Sequence, residues 1–204
     1  MTTEEKLTFL IFDTPECRGA LGAAMREIGR RAHLLLNTTT RIVTLLSNME
    51  IGFTSTRRGL AKAQAAGVKD VLSQFVTHAR LVDEDELVFR HGACKGGDCE
   101  GAHLARELGF WIVGHPGFGV NKKTGKITLD QRGVFASDKE MGMFPYLVRN
   151  EHIVDKSQYL VGAPHQKNEV KRGSGTWYTI RYARKWKKPI IIVFPDGTIE
   201  TENF

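Results

Sequence analysis

The sequence predicts a doubly wound α/β fold, with a mostly parallel sheet and helices on both faces. Three observations carry this. From Met49 onward, short apolar runs alternate with helical patterns, the order produced when each strand is followed by a covering helix. Ile190 to Phe194 is a continuous apolar run, the mark of a strand buried on both faces, as in parallel sheets. Several of the apolar runs end in loops of glycine and short hydroxyl residues.

The elements follow in order. Met49 to Thr56 reads as a strand, and after Arg57, Arg58 and Gly59 an Ala-rich helix is expected from about Leu60 to Ala79. Leu87 to His91 is the second strand, closed by Gly92, Gly96 and Gly97. Asp98 is expected to cap a helix that runs to Leu108 and ends at Gly109, with Gly101, Leu104, Ala105 and Leu108 on one face. Phe110 to Val113 is the third strand. Residues 117–145 form a long excursion of weak periodicity, with a hairpin around Lys123 to Lys126. Tyr146 to Lys156 reads as a helix and Tyr159 to Ala163 as a strand stopped by Pro164. His165 to Arg172 is a polar loop. Gly173, Ser174, Gly175 and Thr176 then open a helix whose apolar face holds Thr176, Ile180 and Ala183 and whose basic last turns complement its dipole. Pro189 ends it. The first 48 residues match this alternation less clearly, and a strand at Leu7 to Phe12 and a helix at about Glu16 to Leu36 are expected there. Two readings of that segment stand: a native extension, or an over-extended reading frame with Met49 as the natural start.

Composition narrows the function. The chain has 204 residues, 41% of them hydrophobic and 25% charged, which excludes a disordered, collagen-like or coiled-coil chain. Its N-terminal apolar stretch, Leu7 to Phe12, is far below the roughly 20 residues of a membrane span. Glu4 and Glu5 stand where a signal peptide would be basic. Three cysteines cannot all pair with one another, so reduced thiols and a cytoplasmic location are expected. The net charge of +6 favours anions such as nucleotides, phosphates or nucleic acid, although a solvated basic surface would give the same balance.

In open α/β sheets ligands bind beyond the carboxyl ends of the strands. Four loops are expected there: Thr54-Ser55-Thr56-Arg57-Arg58-Gly59, Gly92 to Asp98, His115 to Gly117, and Gly173 to Thr176. Backbone N–H groups in such loops approach anions closely, and the following helices aim their positive ends at the same point. No G-x-G-x-x-G follows a strand and no P-loop signature occurs, which removes support for hydride transfer and ATP hydrolysis. The spacing His91-x2-Cys94-x4-Cys99-x3-His103 contains zinc-ligand types but matches no common zinc pattern. These four are expected to be ordinary surface and loop residues, and no metal is expected. His91, Asp98, His115 and Arg149 are the polar candidates near strand ends, and Arg149 with Asn150 is placed to offer a guanidinium to a phosphate.

Taken together, Gly52-x-Thr54-x-Thr56-Arg57-x-Gly59, His91-Gly92-x3-Gly96-x-Asp98, Gly114-His115-Pro116, Arg149-Asn150, and Ala163-Pro164 followed by Gly173 to Trp177 resemble the SLOG superfamily. These are the LOG/DprA-like Rossmann-type nucleotide-binding domains, and the likeness, over about Met49 to Asp196, is nearest to the small single-domain YspA-like branch of prokaryotic or phage-like chains. The resemblance implies a Rossmann-like sheet whose glycine loops hold a nucleotide or nucleotide-derived molecule. In the LOG enzymes, nucleoside 5'-monophosphate phosphoribohydrolases, a Gly-Gly-x-Gly-Thr-x-x-Glu motif supplies a catalytic glutamate and an upstream arginine completes the site. Gly173 to Thr176 and Arg149 match the loop and the arginine, so Arg149 is the catalytic candidate. The glutamate position is Thr179, and a threonine cannot stabilise an oxocarbenium charge as a carboxylate does.

The expectation is therefore a cytoplasmic nucleotide-binding domain over residues 49–204 that needs no cofactor. Thr54, Ser55, Arg57, Gly59, His91, Gly92, Gly96, Asp98, Asn150, Pro164, Gly173, Ser174, Gly175 and Thr176 form its ligand site with Arg149. The alternatives are N-glycosidic bond cleavage in the same site and DprA-like binding of single-stranded DNA. A homo-oligomer is compatible with either, and no membrane partner is expected.

Overall fold

A computed structural model describes residues 49–81, 86–121, 123–129 and 132–204. Contacts divide the chain after Leu45, and the described residues belong to the second unit, Leu46–Phe204. The strand and helix expected within the first 48 residues lie outside the described residues.

Five parallel strands form the centre of the sheet: β1 (Met49–Ser55), β2 (Leu87–His91), β3 (Trp111–Gly114), β8 (Tyr159–Ala163) and β9 (Ile190–Val193). The edges are β6 (Lys139–Glu140), parallel to β3, and β10 (Ile199–Glu202), antiparallel to β9, giving the order β10-β9-β8-β1-β2-β3-β6. This is the mixed, mostly parallel sheet of a Rossmann-like fold. Chain order advances from β1 to β3 on one side and from β8 to β9 on the other, so the direction of winding reverses between β1 and β8. That reversal opens a crevice at the carboxyl ends of those two strands.

Side-chain alternation explains why both faces are covered. In β8, Tyr159, Val161 and Ala163 join a core built with α1 (Lys62–Leu81) and α2 (Gly97–Glu107). Leu160 points to the opposite core, built with Val154 of α3 (Tyr146–Asp155) and with Trp177, Ile180 and Ala183 of α4 (Gly175–Lys185). The run in β9 splits the same way, with Ile190 and Ile192 toward α4 and Ile191 and Val193 toward α1, as a period of two requires. In α1 the buried Gly67, Val68, Val71, Leu72, Phe75 and Ala79 recur at helical spacing. That helix starts at Lys62, and the Leu60 and Ala61 N–H groups before it donate to Glu100 Oε2 (2.6 Å) and Gln64 Oε1 (3.4 Å).

The excursion builds a small second sheet of three short strands. β4 (Gly117–Val120) and β5 (Ile127–Thr128) form the expected hairpin, and β7 (Phe144–Pro145) pairs parallel with β4 and leads directly into α3. Among the described residues, no helix is long and apolar enough to cross a membrane.

Candidate functional site

The crevice at the β1/β8 reversal has a volume of about 870 Å3. Its walls are the β1–α1 loop (Thr54 to Arg58), the loop into α2 (Cys94, Lys95, Asp98), the start of α3 (Tyr146, Leu147, Arg149, Asn150) and the β8–α4 segment through to Arg181. Of the expected site residues, Thr54, Ser55, Arg57, Asp98, Arg149, Asn150, Gly173, Ser174, Gly175 and Thr176 meet there. Gly59, His91, Gly92, Gly96 and Pro164 do not line it. Three of the four glycine loops line it; His115 to Gly117 does not, and Gly117 instead packs behind the site, where a Cβ would fall 3.3 Å from Arg149 Nε.

Arg149 forms the floor. It is 4% exposed, its Nη2 donates to Cys94 Sγ at 3.1 Å, and its Nη1 lies 3.7 Å from Asp98 Oδ2. Its Nε is buried without a hydrogen-bond partner among the described residues, and the Tyr146 ring lies 5.9 Å from Cζ. A buried guanidinium with one distant carboxylate and one weak sulfur acceptor is short of the partners that normally compensate burial.

Asp98 corrects one expectation. The residue before α2 is Gly96, and no side chain caps the helix. Because α2 begins at Gly97, Asp98 sits inside the first turn, where its carboxylate accepts from Ser55 Oγ (2.7 Å) and the Cys94 N–H (3.4 Å). Burial pushes its pKa up, against the opposing pull of Arg149 and Ser55. Burial and the adjacent Asp98 also push the Cys94 thiol up, so it remains a thiol.

Several hydroxyls hold the protein together. Ser55 donates to Asp98, Thr176 Oγ1 donates to the Ser55 carbonyl (2.7 Å), and Ser174 Oγ accepts from the Trp177 N–H (3.2 Å) as the cap of α4. The first amides of α4, at Gly175 and Thr176, have no intrahelical acceptor and line the crevice. The α2 end is different, since the Gly97 N–H is already taken by the Thr56 carbonyl at 2.9 Å. The helix that offers its positive end here is therefore α4. Asn150 Nδ2 reaches the Gly175 carbonyl at 3.4 Å and ties α3 to that end.

Sequence reasoning missed the basic rim. Lys95, Lys171, Arg172 and Arg181 line the crevice together with Arg57 and Arg58. Arg58 Nη1 meets His165 Nε2 at 2.8 Å, joining the loops that form two of the walls. Tyr178, also lining, donates to Glu151, a bond that pushes the phenol pKa up to about 12.

His91 and Cys94 are not the surface residues expected, being 0% and 9% exposed. His91 Nδ1 accepts from the Ala93 N–H (3.3 Å) and Nε2 faces Ser137 Oγ (3.3 Å), which suits a neutral ring. Burial lowers its pKa to about 4, and burial with the Arg90 charge lowers that of His115 to about 3. The unfolded chain therefore binds these protons first, near the ordinary histidine value of about 6.5. Stability is full above that pH and falls as the pH drops toward 4, by about 1.4 kcal/mol per pH unit for each histidine. Urea unfolding of wild type and His115→Gln between pH 7 and 5 checks this: the variant should show the shallower loss, and equal slopes would refute it.

No family model matches the chain, and neither does any curated protein sequence. Among solved structures it is similar to the molybdenum cofactor binding protein from the phototrophic bacterium Rippkaea orientalis, with a TM-score of 0.50 and 14% identity over 73% of this chain and 78% of that one. The likeness is one of fold. DNA processing protein A (DprA) from Streptococcus pneumoniae aligns with a TM-score of 0.47 and 18% identity over 72% of this chain, which spans about half (51%) of the DprA chain.

Proposed function

We propose that residues 49–204 form a SLOG-type domain, of the small YspA-like kind, that binds a nucleotide or nucleotide-derived ligand by its phosphate, with residues 1–48 as an appended segment. One observation carries the reading: the under-partnered, buried Arg149 at the floor of a crevice rimmed by cations and by the free amides of α4. An anion there accepts from Arg149 and from the Gly175 and Thr176 N–H groups, completing a set of donors that the protein leaves unmatched. That one protein of this fold is named for holding a cofactor is compatible with a small-molecule ligand, although fold alone does not set function.

Binding without turnover is the reading the residues favour. Thr179 is fully buried, and its hydroxyl donates to the Gly175 carbonyl at 2.9 Å. Among the lining residues Asp98 is the one carboxylate, engaged by Ser55 and facing Arg149. No group is left to stabilise the cation that N-glycosidic cleavage develops.

Calorimetry with nucleoside 5'-monophosphates and NAD-like compounds tests both points. Wild type should bind at least one of them and release no base, and Arg149→Ala should lose about ten- to hundredfold in affinity, the worth of a charged hydrogen-bond pair. Unchanged affinity in Arg149→Ala would remove the proposal, and released base would turn it into an enzyme.

A further inference from the structure

Positive charge gathers along the crevice. Seven Lys and Arg residues line the crevice against the single carboxylate of Asp98, an excess of six positive charges.

Three of the seven cations already have protein contacts. Arg149 faces Asp98, Arg181 pairs with Glu169 at 3.2 Å, and Arg58 meets His165. Arg57, Lys95, Lys171 and Arg172 have no ion pair among the described residues. They come from three separate loops, so their meeting is a product of the fold and not of a local charge run.

We propose that the crevice takes a ligand with two or more linked phosphates, such as a nucleoside diphosphate or a pyrophosphate-bridged dinucleotide, in preference to a monophosphate. This rests on the reading of Arg149 as an anion-binding group. One phosphate matches the floor, where Arg149 and the first turn of α4 line the crevice. It leaves the four rim cations that have no ion pair among the described residues without an opposite charge, which a second phosphate supplies. The crevice volume of about 870 Å3 lies in the range of small-molecule sites. The Arg58–His165 contact joins two of the walls, which favours a compact ligand over a strand running through.

The test compares orthophosphate with pyrophosphate, and a nucleoside monophosphate with its diphosphate, by calorimetry at fixed salt. Lys171→Ala/Arg172→Ala is the informative variant, because both residues are exposed on a loop. Wild type should bind pyrophosphate at least about tenfold more tightly than orthophosphate. The double variant should lose more of its pyrophosphate affinity than of its orthophosphate affinity, bringing the two anions to within about twofold. Equal affinities in wild type, or equal losses in the variant, overturn the inference while leaving the Arg149 reading intact. Failure of every anion to bind, or an Arg149→Ala protein that binds normally, overturns both. A single-stranded oligonucleotide that displaces pyrophosphate at equal phosphate concentration overturns it in favour of nucleic acid.

Discussion

Gly92→Ala is expected to lower anion affinity by about ten- to hundredfold in a protein that still folds. Gly92 does not line the crevice and is not among the residues of positive φ, so its backbone accepts a side chain. Space is the obstacle. A methyl group there would overlap Arg149 Nη1 and fall 2.5 Å from Asp98 Oδ2 and 2.6 Å from Arg149 Cζ. The blocking atoms belong to the far end of a flexible side chain, so the chain relieves the clash by swinging the guanidinium away, at a stability cost of about 1–3 kcal/mol. The same swing removes the floor of the site. Urea unfolding and calorimetry on one preparation separate the two effects: a modest loss of stability with a large loss of binding is expected. Binding within twofold of wild type would mean that the position of Arg149 is irrelevant to the ligand.

Gly92 also shows how far the sequence could be read. It was expected to touch ligand as part of a glycine loop, whereas its absent side chain makes room for Arg149 from behind. Patterns confined to one element were legible: β2 and β8 have the expected limits, and the run in β9 is buried on both faces because each alternate side chain meets a different helix layer. The edge strand β10 escaped notice because Ile199-Glu200-Thr201-Glu202 is mostly exposed and carries no apolar face. Asp196-Gly197, placed as a hairpin turn, was its available signal.

The same distinction governs the site. Thr54, Ser55, Ser174, Gly175 and Thr176 were recognisable as strand-end loop residues, and the reversal of strand order between β1 and β8 brings them together. Lys171 and Arg172 read as part of a solvated polar loop, since nothing local distinguishes a basic loop facing water from one facing a neighbouring loop. Only the adjacency of β8 and β1 makes that difference. Conversely, His115 had the right local chemistry but follows a strand too far from the reversal, and burial leaves it an uncharged ring.

Gly96→Ala should be the most damaging single change, costing about 3–5 kcal/mol. Gly96 has φ 82 and ψ −135, a region that is essentially closed to residues with a Cβ. A methyl group there would also overlap the Arg57 carbonyl oxygen and lie 2.6 Å from the Arg57 carbonyl carbon and 2.9 Å from the Gly59 nitrogen. These are backbone atoms, so no rotamer change relieves the contact. The β1–α1 loop must move away, and with it goes the Thr56 carbonyl that receives the Gly97 N–H, uncoupling two walls of the crevice. Gly109→Ala is the matched control: its φ is +90, yet nothing lies within 4 Å of the added atom, so only the conformational cost of about 1–2 kcal/mol applies. Urea midpoints followed by circular dichroism measure the difference. If the two variants lose equal stability, close packing of the β1–α1 loop on the start of α2 does not hold the site together, and the convergence of these loops needs another cause.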